Sequence, residues 1–170
     1  GKSVDTIKNW VSILKISGII YLLQPYYNNF NKRIVKTPKI YFMDTGLASY
    51  LTGWYTFEQL QFGAMSGNMF ETFVVSEILK SYYNKGYDDF GFSYYRDKDM
   101  NEIDLIIDNN GVLYPIEIKK TGNPNKQDIK VFAKLEGNKQ KMVGEGGVIC
   151  LADSIRYLTP MNRVIPIKYI

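Results

Sequence analysis

The chain has 170 residues, of which 45% are hydrophobic and 22% are charged, a composition typical of an ordinary globular protein. It contains no histidine and one cysteine, which excludes Ser-His and Cys-His catalytic sites, the usual zinc sites and a disulfide framework. The net charge of +4 is uneven, because residues 1–43 hold seven Lys and Arg against one acid, a net of +6.

The composition and the sequence lead to five expectations. Catalysis would have to use carboxylates, lysine, tyrosine or a bound metal, and the basic N-terminal quarter indicates an anionic partner. No apolar run reaches the ~20 residues of a membrane-spanning helix, so no membrane partner is expected, and the lone Cys150 favours the reducing cytoplasm. The chain begins with Gly1 rather than Met, which indicates a piece of a longer protein.

The N-terminal residues 1–51 predict a partial winged-helix module. Ser3 is placed to cap a helix over 4–17, Gly18 to end it, and two short strands, 19–23 and 39–43, flank a polar basic loop. In a winged helix, the helix contacts the DNA groove and the loop contacts phosphate. The candidate nucleic-acid-binding residues are Lys8, Lys15, Lys32, Arg33 and Lys36. The alternative is a module that serves only as a protein-protein spacer.

Residues 52–66 are mixed in character and predict a linker, which leaves residues 67–170 as a second domain. This domain opens with a helix over 68–84 that carries Glu71 near its start, where the helix dipole favours a negative charge. Strands are predicted at 92–96, 147–151 and 164–170 and as a pair within 101–120, with a helix at 125–135. This order predicts an α/β fold, with a mixed sheet flanked by helices.

The segment 101–120 predicts a β-hairpin, because alternating apolar residues flank Asn110-Gly111, a strong signal for a type I′ turn. In the resulting register Asp104 lies opposite Glu117. One face of the hairpin holds Ile103, Leu105, Ile107, Tyr114, Ile116 and Ile118. The other face holds Glu102, Asp104, Glu117 and Lys119.

Two carboxylates this close repel each other unless a cation lies between them, and oxygen ligands suit Mg²⁺ or Mn²⁺. The polar face of the hairpin is therefore a candidate metal site with Lys119 beside it. The alternative is an amphipathic hairpin whose charges are solvated. Whether Glu71 reaches this face or only favours the start of its own helix is left open by the sequence.

Several motifs together resemble the PD-(D/E)xK nuclease superfamily. These motifs are Gly67-x-x-x-Glu71, Tyr95-Arg96-Asp97, Glu102-Ile103-Asp104-Leu105-Ile106-Ile107 and Pro115-Ile116-Glu117-Ile118-Lys119. More narrowly, residues 3–170 resemble the C-terminal region of prokaryotic AAA-type ATPases that carry a DUF4143 domain. Further markers of this resemblance are Leu14-x-x-Ser17-Gly18-Ile19-Ile20 and the run from Pro38 to Leu47.

The resemblance implies a restriction-endonuclease-like fold and a Mg²⁺- or Mn²⁺-dependent DNA endonuclease. By analogy Asp104, Glu117 and Glu71 would hold the metal, and Lys119 would orient or activate the attacking water. It also implies an ATPase domain upstream, the only part expected to bind ATP, since the chain contains no Walker A loop. The alternatives are a non-catalytic DNA-binding or protein-interaction module that regulates the ATPase, or a homo-oligomerisation module.

Overall fold

The computed structural model describes residues 1–26, 37–87, 91–136 and 141–170. Its helices are α1 (Val4–Ile16), α2 (Thr45–Thr52), α3 (Phe57–Phe62), α4 (Ser66–Asn84) and α5 (Ala133–Glu136), with 3₁₀ turns at Lys130–Phe132 and Ile167–Tyr169. Its strands are β1 (Ile20–Leu23), β2 (Lys39–Phe42), β3 (Gly91–Arg96), β4 (Glu102–Asn109), β5 (Val112–Lys119), β6 (Met142–Val143), β7 (Gly146–Cys150), β8 (Arg156–Thr159) and β9 (Asn162–Pro166).

The predicted ends of the first helix are confirmed. The Ser3 hydroxyl oxygen accepts a hydrogen bond from the Thr6 N–H at 3.2 Å, and Gly18 adopts a left-handed φ of 71° directly after Ser17, the C-cap of α1. β1 and β2 form a two-stranded antiparallel sheet. Lys8 and Lys15 are exposed on α1, whereas the candidate DNA contacts Lys32, Arg33 and Lys36 lie outside the described residues.

A seven-stranded mixed sheet forms the centre of the described C-terminal part, in the order β3-β4-β5-β7-β9-β8, with β6 paired to β5. β5, β7 and β9 run parallel, whereas β3–β4, β4–β5 and β8–β9 are antiparallel. This arrangement confirms the predicted α/β class, with a mixed sheet flanked by helices.

The turn of the hairpin is also confirmed. Asn110 and Gly111 have φ values of 53° and 83°, as a type I′ turn requires at both central positions. The β4–β5 pairing runs from Asn109–Val112 to Leu105–Ile116, in the predicted register.

Two hydrophobic clusters cover the two faces of the sheet. Along β7, Val148 and Cys150 belong to one cluster and Ile149 to the other, as the alternation of side chains in a strand dictates. The second cluster includes Leu23 of β1 and Tyr41 of β2 together with the buried face of α4. The N-terminal strands therefore share a core with the sheet.

Three predicted elements differ from the structure. The predicted linker 52–66 contains helix α3, whose N-terminus is closed by a capping box between Thr56 and Gln59. The predicted helix 125–135 is instead a series of turns followed by the short helix α5, and the last strand stops at Pro166. β6 and β8 were not predicted. Among the described residues, the helices are too short or too polar to cross a membrane.

Candidate metal centre

The site lies where β4 and β5 separate. Their ladder ends at Leu105–Ile116, one pair before the expected pairing of Asp104 with Glu117. In place of a backbone pair, Asp104 Oδ2 accepts a hydrogen bond from the Ile118 N–H at 2.9 Å. Past the end of the β4–β5 ladder, residues 102–103 stay paired with β3 and residues 117–119 with β7, and we call this place the fork of β4 and β5.

An irregularity in β4 accompanies this fork. Pairing with β3 shifts by one residue between Ser93–Ile106 and Tyr95–Ile103, so that two residues of β4, Asp104 and Leu105, oppose Tyr94 alone. The prediction that six apolar residues share one face of the hairpin is therefore wrong. Ile103 belongs to the first cluster and Leu105 to the second, because the bulge reverses the alternation between them.

The four residues predicted for the site, Glu71, Asp104, Glu117 and Lys119, line one cavity of about 630 Å³. α2, α4 and β2 form its other walls. Glu71 reaches the cavity because it lies one turn before Val74 and Val75, which α4 buries against the sheet. The question that the sequence left open is thereby answered, since Glu71 faces the hairpin and does not merely cap its own helix.

Three carboxylates converge on one side of this cavity, and we call them the acidic trio: Glu71, Glu102 and Asp104. One oxygen from each lies within 4.8 Å of the others. Glu102 and Asp104 are two residues apart in β4, on either side of Ile103, and therefore share a face of the strand. The structure therefore brings together an acid from α4 and two acids from β4.

Lys39 of β2 lies among the acidic trio. Its Nζ is 2.8 Å from Glu71 Oε1 and 3.5 Å from Asp104 Oδ1, and it also forms an ion pair with Glu102. Burial opposes the charge of Lys39, but the nearby carboxylates outweigh burial and raise its pKa. Tyr41, two residues along β2, donates its hydroxyl to Glu71 Oε1 at 2.5 Å. Lys39 and Tyr41 point inward while Ile40 between them is 54% exposed.

Glu102 is further neutralised by Arg96, whose Nε is 2.5 Å from Glu102 Oε2. Burial acts to raise the pKa of Glu102, but the hydrogen bonds from Arg96 and Lys39 outweigh it and hold the pKa below its usual value. Glu102 therefore stays charged in this site.

Glu117 differs from Glu102, because only one of its carboxylate oxygens has a partner among the described residues. It is 6% exposed, and only Oε1 is paired, with Lys119 Nζ at 2.6 Å. Oε2 is buried and has no hydrogen-bond partner among the described residues. Burial first and the neighbouring Asp104 second raise the pKa of Glu117 to about 8.

Asp104 is also buried, and its pKa is also raised. It is 7% exposed, and burial together with the charge of Glu71 raises its pKa to about 6. Asp104 and Glu117 thus form a pair that is reluctant to carry both negative charges at neutral pH. A divalent cation between them would relieve this repulsion, and the unpartnered oxygen of Glu117 is a ready ligand. The donor set consists of carboxylate oxygens, which fits Mg²⁺ or Mn²⁺.

Sequence reasoning missed four residues of this site: Lys39, Tyr41, Arg96 and Glu102. Glu102 was assigned to the polar face of the hairpin but not to the site. Its spacing of two residues from Asp104 was the available signal. Lys39 and Tyr41 approach from a strand more than 30 residues away, and no local pattern indicates that contact. Lys8 and Lys15 do not line the cavity.

Comparison with known proteins places these observations in a family. Residues 66–170 match the domain of unknown function DUF4143, and residues 1–58 match the domain of unknown function DUF8612. Uncharacterized proteins of Mycobacterium bovis and Mycobacterium tuberculosis are each 30% identical to the chain over 121 residues, which are 71% of the chain and 26% of each relative. The chain thus spans about a quarter of the length of these curated relatives. No solved structure matches. Since the first match covers more than half of the chain, the chain belongs to the DUF4143 family.

Proposed function

We propose that the domain is a Mg²⁺- or Mn²⁺-dependent endonuclease of the PD-(D/E)xK type that hydrolyses phosphodiester bonds in DNA. The observation that carries this proposal is the buried, unpartnered oxygen of Glu117 beside Asp104 at the fork of β4 and β5. A hydrophobic interior rarely retains such a group without a use for it, because an unsatisfied buried carboxylate destabilises the fold.

Asp104 and Glu117 would hold the metal ion, which in hydrolytic sites stabilises the charge that develops on the phosphate and lowers the pKa of water. Lys119 is half-exposed, with 41% of its side chain accessible, and its ammonium lies beside Glu117 at the cavity. This position suits contact with a phosphate oxygen or with the attacking water. Glu71 is close to Asp104, but its Oε1 already accepts from both Lys39 and Tyr41. Glu71 therefore supports the site through these two side chains.

The wider proposal follows the resemblance of the chain. The full-length protein would carry an AAA-type ATPase domain upstream, and ATP would bind only there. The relatives, about four times longer than the matched segment, leave room for such a domain. The sheet order and the fork support a restriction-endonuclease-like fold for residues 67–170. The succession α1, β1 and β2 supports a partial winged helix over residues 1–51.

The test is an assay of cleavage on single- and double-stranded DNA with Mg²⁺, with Mn²⁺ and with chelator. Wild-type protein should cleave only with metal, and Asp104→Asn should not cleave. Glu77→Gln is the matched control, because Glu77 is an acid on α4 that pairs only with the exposed Lys80 among the described residues. Equal cleavage by wild type and Asp104→Asn would refute the proposal.

A non-catalytic DNA-binding module that regulates the ATPase is the second candidate. It is favoured by the net charge of +6 over residues 1–43 and by the exposure of Lys8 and Lys15 on α1. Such binding should weaken steeply as salt rises, because bound phosphates release their counterions. Fluorescence anisotropy with labelled DNA measures this dependence. Binding that survives in Asp104→Asn, without cleavage by wild type, would favour this second function.

A further inference from the structure

The acidic trio already contains a cation. The ammonium of Lys39 contacts Glu71 at 2.8 Å, contacts Glu102, and lies 3.5 Å from Asp104. The three acids offer oxygens within 4.8 Å of one another, and the Lys39 ammonium contacts all three acids at once. The 2.8 and 3.5 Å contacts of the ammonium with Glu71 and Asp104 are longer than the ~2.0–2.1 Å ligand distances of Mg²⁺.

A metal ion and this ammonium cannot share the trio. Two cations about 3 Å apart repel strongly in a partly buried site, and Lys39 has 14% of its side chain exposed. Tyr41 also fixes one oxygen of Glu71, since its hydroxyl donates to the same Oε1 as Lys39. The trio is thus held in an arrangement that suits a lysine.

The space beside Glu117 differs from the trio. Lys119 pairs with one oxygen of Glu117 and leaves the other without a partner among the described residues. Across the whole cavity, the trio and Glu117 carry four negative charges when ionised. Among the described residues that line the cavity, three basic side chains face them: Lys39, Arg96 and Lys119. The net charge of these seven side chains is −1, which attracts one divalent cation, whereas a second one would leave a large positive excess.

We propose that the Lys39 ammonium takes the place of a second metal ion, so that the chain binds one divalent cation, at Asp104 and Glu117. This inference rests on the proposed function for the first site and adds the role of Lys39. Lys39 lies within the DUF8612 match and the acids lie within the DUF4143 match, so the N-terminal strands complete the site of the C-terminal domain.

The experiment is titration calorimetry with Mn²⁺ on the folded chain. Wild type should bind one ion, and Lys39→Met should bind two, the second at the vacated trio. Adding Glu102→Gln to Lys39→Met should return the count to one, because Glu102 belongs to the trio alone. Lys80→Met is the matched control, since it removes an equal charge from α4 outside the cavity, and it should bind one ion like wild type.

Lys39→Met leaves the trio without its cation and could destabilise the fold, so Lys39→Gln is titrated in parallel and circular dichroism verifies that both variants are folded. One ion in wild type and one in both Lys39 variants would overturn the inference while leaving the proposed function intact. Two ions in wild type would also overturn it. No ion in wild type but one in the Lys39 variants would support the role of Lys39 and contradict the proposed metal site. No ion in any protein would overturn both.

Discussion

Glu117→Gln should stabilise the metal-free protein at high pH and leave its stability unchanged at low pH. In the folded state the pKa of Glu117 is raised from 4.5 to about 8, by burial and by the charge of Asp104. A glutamine has nearly the same shape as a protonated glutamate, so the substitution removes the ionised form without leaving a cavity. The expected gain comes from removing an unfavourable buried charge.

The sign and size of this change in stability follow from the linkage between proton binding and unfolding. Below about pH 4.5, Glu117 is protonated in both states and contributes no pH dependence. Between about pH 4.5 and 8 the unfolded chain releases this proton while the folded chain retains it, so wild-type stability falls as pH rises. Above about pH 8 the loss is complete. The difference between pKa values of 4.5 and about 8 corresponds to at most ~5 kcal/mol, at 1.36 kcal/mol for each tenfold change.

Urea unfolding followed by circular dichroism, at pH 4.5 and pH 9 with chelator, measures this effect. The free energy of unfolding of Glu117→Gln should exceed that of wild type by about 2–5 kcal/mol at pH 9 and by less than about 0.5 kcal/mol at pH 4.5. Glu77→Gln, at a surface ion pair, should differ from wild type by less than about 0.5 kcal/mol at both pH values. An equal effect of Glu117→Gln at both pH values would refute the account of a strained buried carboxylate.

Three further predictions concern metal binding, the packing of the hydrophobic core and the turn of the hairpin. Saturating Mn²⁺ should raise the thermal midpoint more at pH 8 than at pH 6, because metal ligands must be deprotonated, and at 100 times Kd the gain is about 2.7 kcal/mol. An equal shift at both pH values in differential scanning calorimetry would contradict this. Leu79→Ala, at a fully buried position of α4, should cost about 2–5 kcal/mol in urea unfolding, and a cost below ~1 kcal/mol would argue against the packing of α4 on the sheet. Gly111→Ala should cost about 1–2 kcal/mol in the same assay, because φ is 83° there, and a neutral result would exclude the type I′ turn.

Local signals predicted much of the fold. Ser3 caps the start of α1 and Gly18 follows its end, as predicted, because capping depends on residues within one turn. Asn110-Gly111 set the hairpin register because both residues tolerate positive φ. The apolar periodicity of α4 predicted the helix, but it left open whether Glu71 reaches the hairpin.

The features that were not predicted depend on distant contacts. The bulge at Asp104 and Leu105 arises from pairing with β3, so the period of β4 alone does not reveal it. The predicted helix 125–135 has a helical pattern, but it forms only turns and α5, where Phe132 and Leu135 pack under the sheet. Tertiary packing therefore outweighs the helix propensity of this segment.

The candidate site shows the same division. Asp104, Glu117 and Lys119 could be found from alternation within one hairpin. Lys39 could not be found, because its role in the site depends on the contact of β2 with β4. No pattern in the neighbouring sequence indicates that contact. Lys39 pairs with all three acids of the acidic trio, and the carboxylate oxygen that stays without a partner among the described residues belongs to Glu117.

The most direct test of a metal centre at Asp104 and Glu117 is anomalous diffraction from crystals soaked in Mn²⁺. We predict one anomalous peak at the fork of β4 and β5, in contact with carboxylate oxygens of both residues. We also predict that the peak is lost in Glu117→Gln. A peak within the acidic trio in place of Lys39, or no peak at the fork in crystals of folded wild-type protein, would contradict the account.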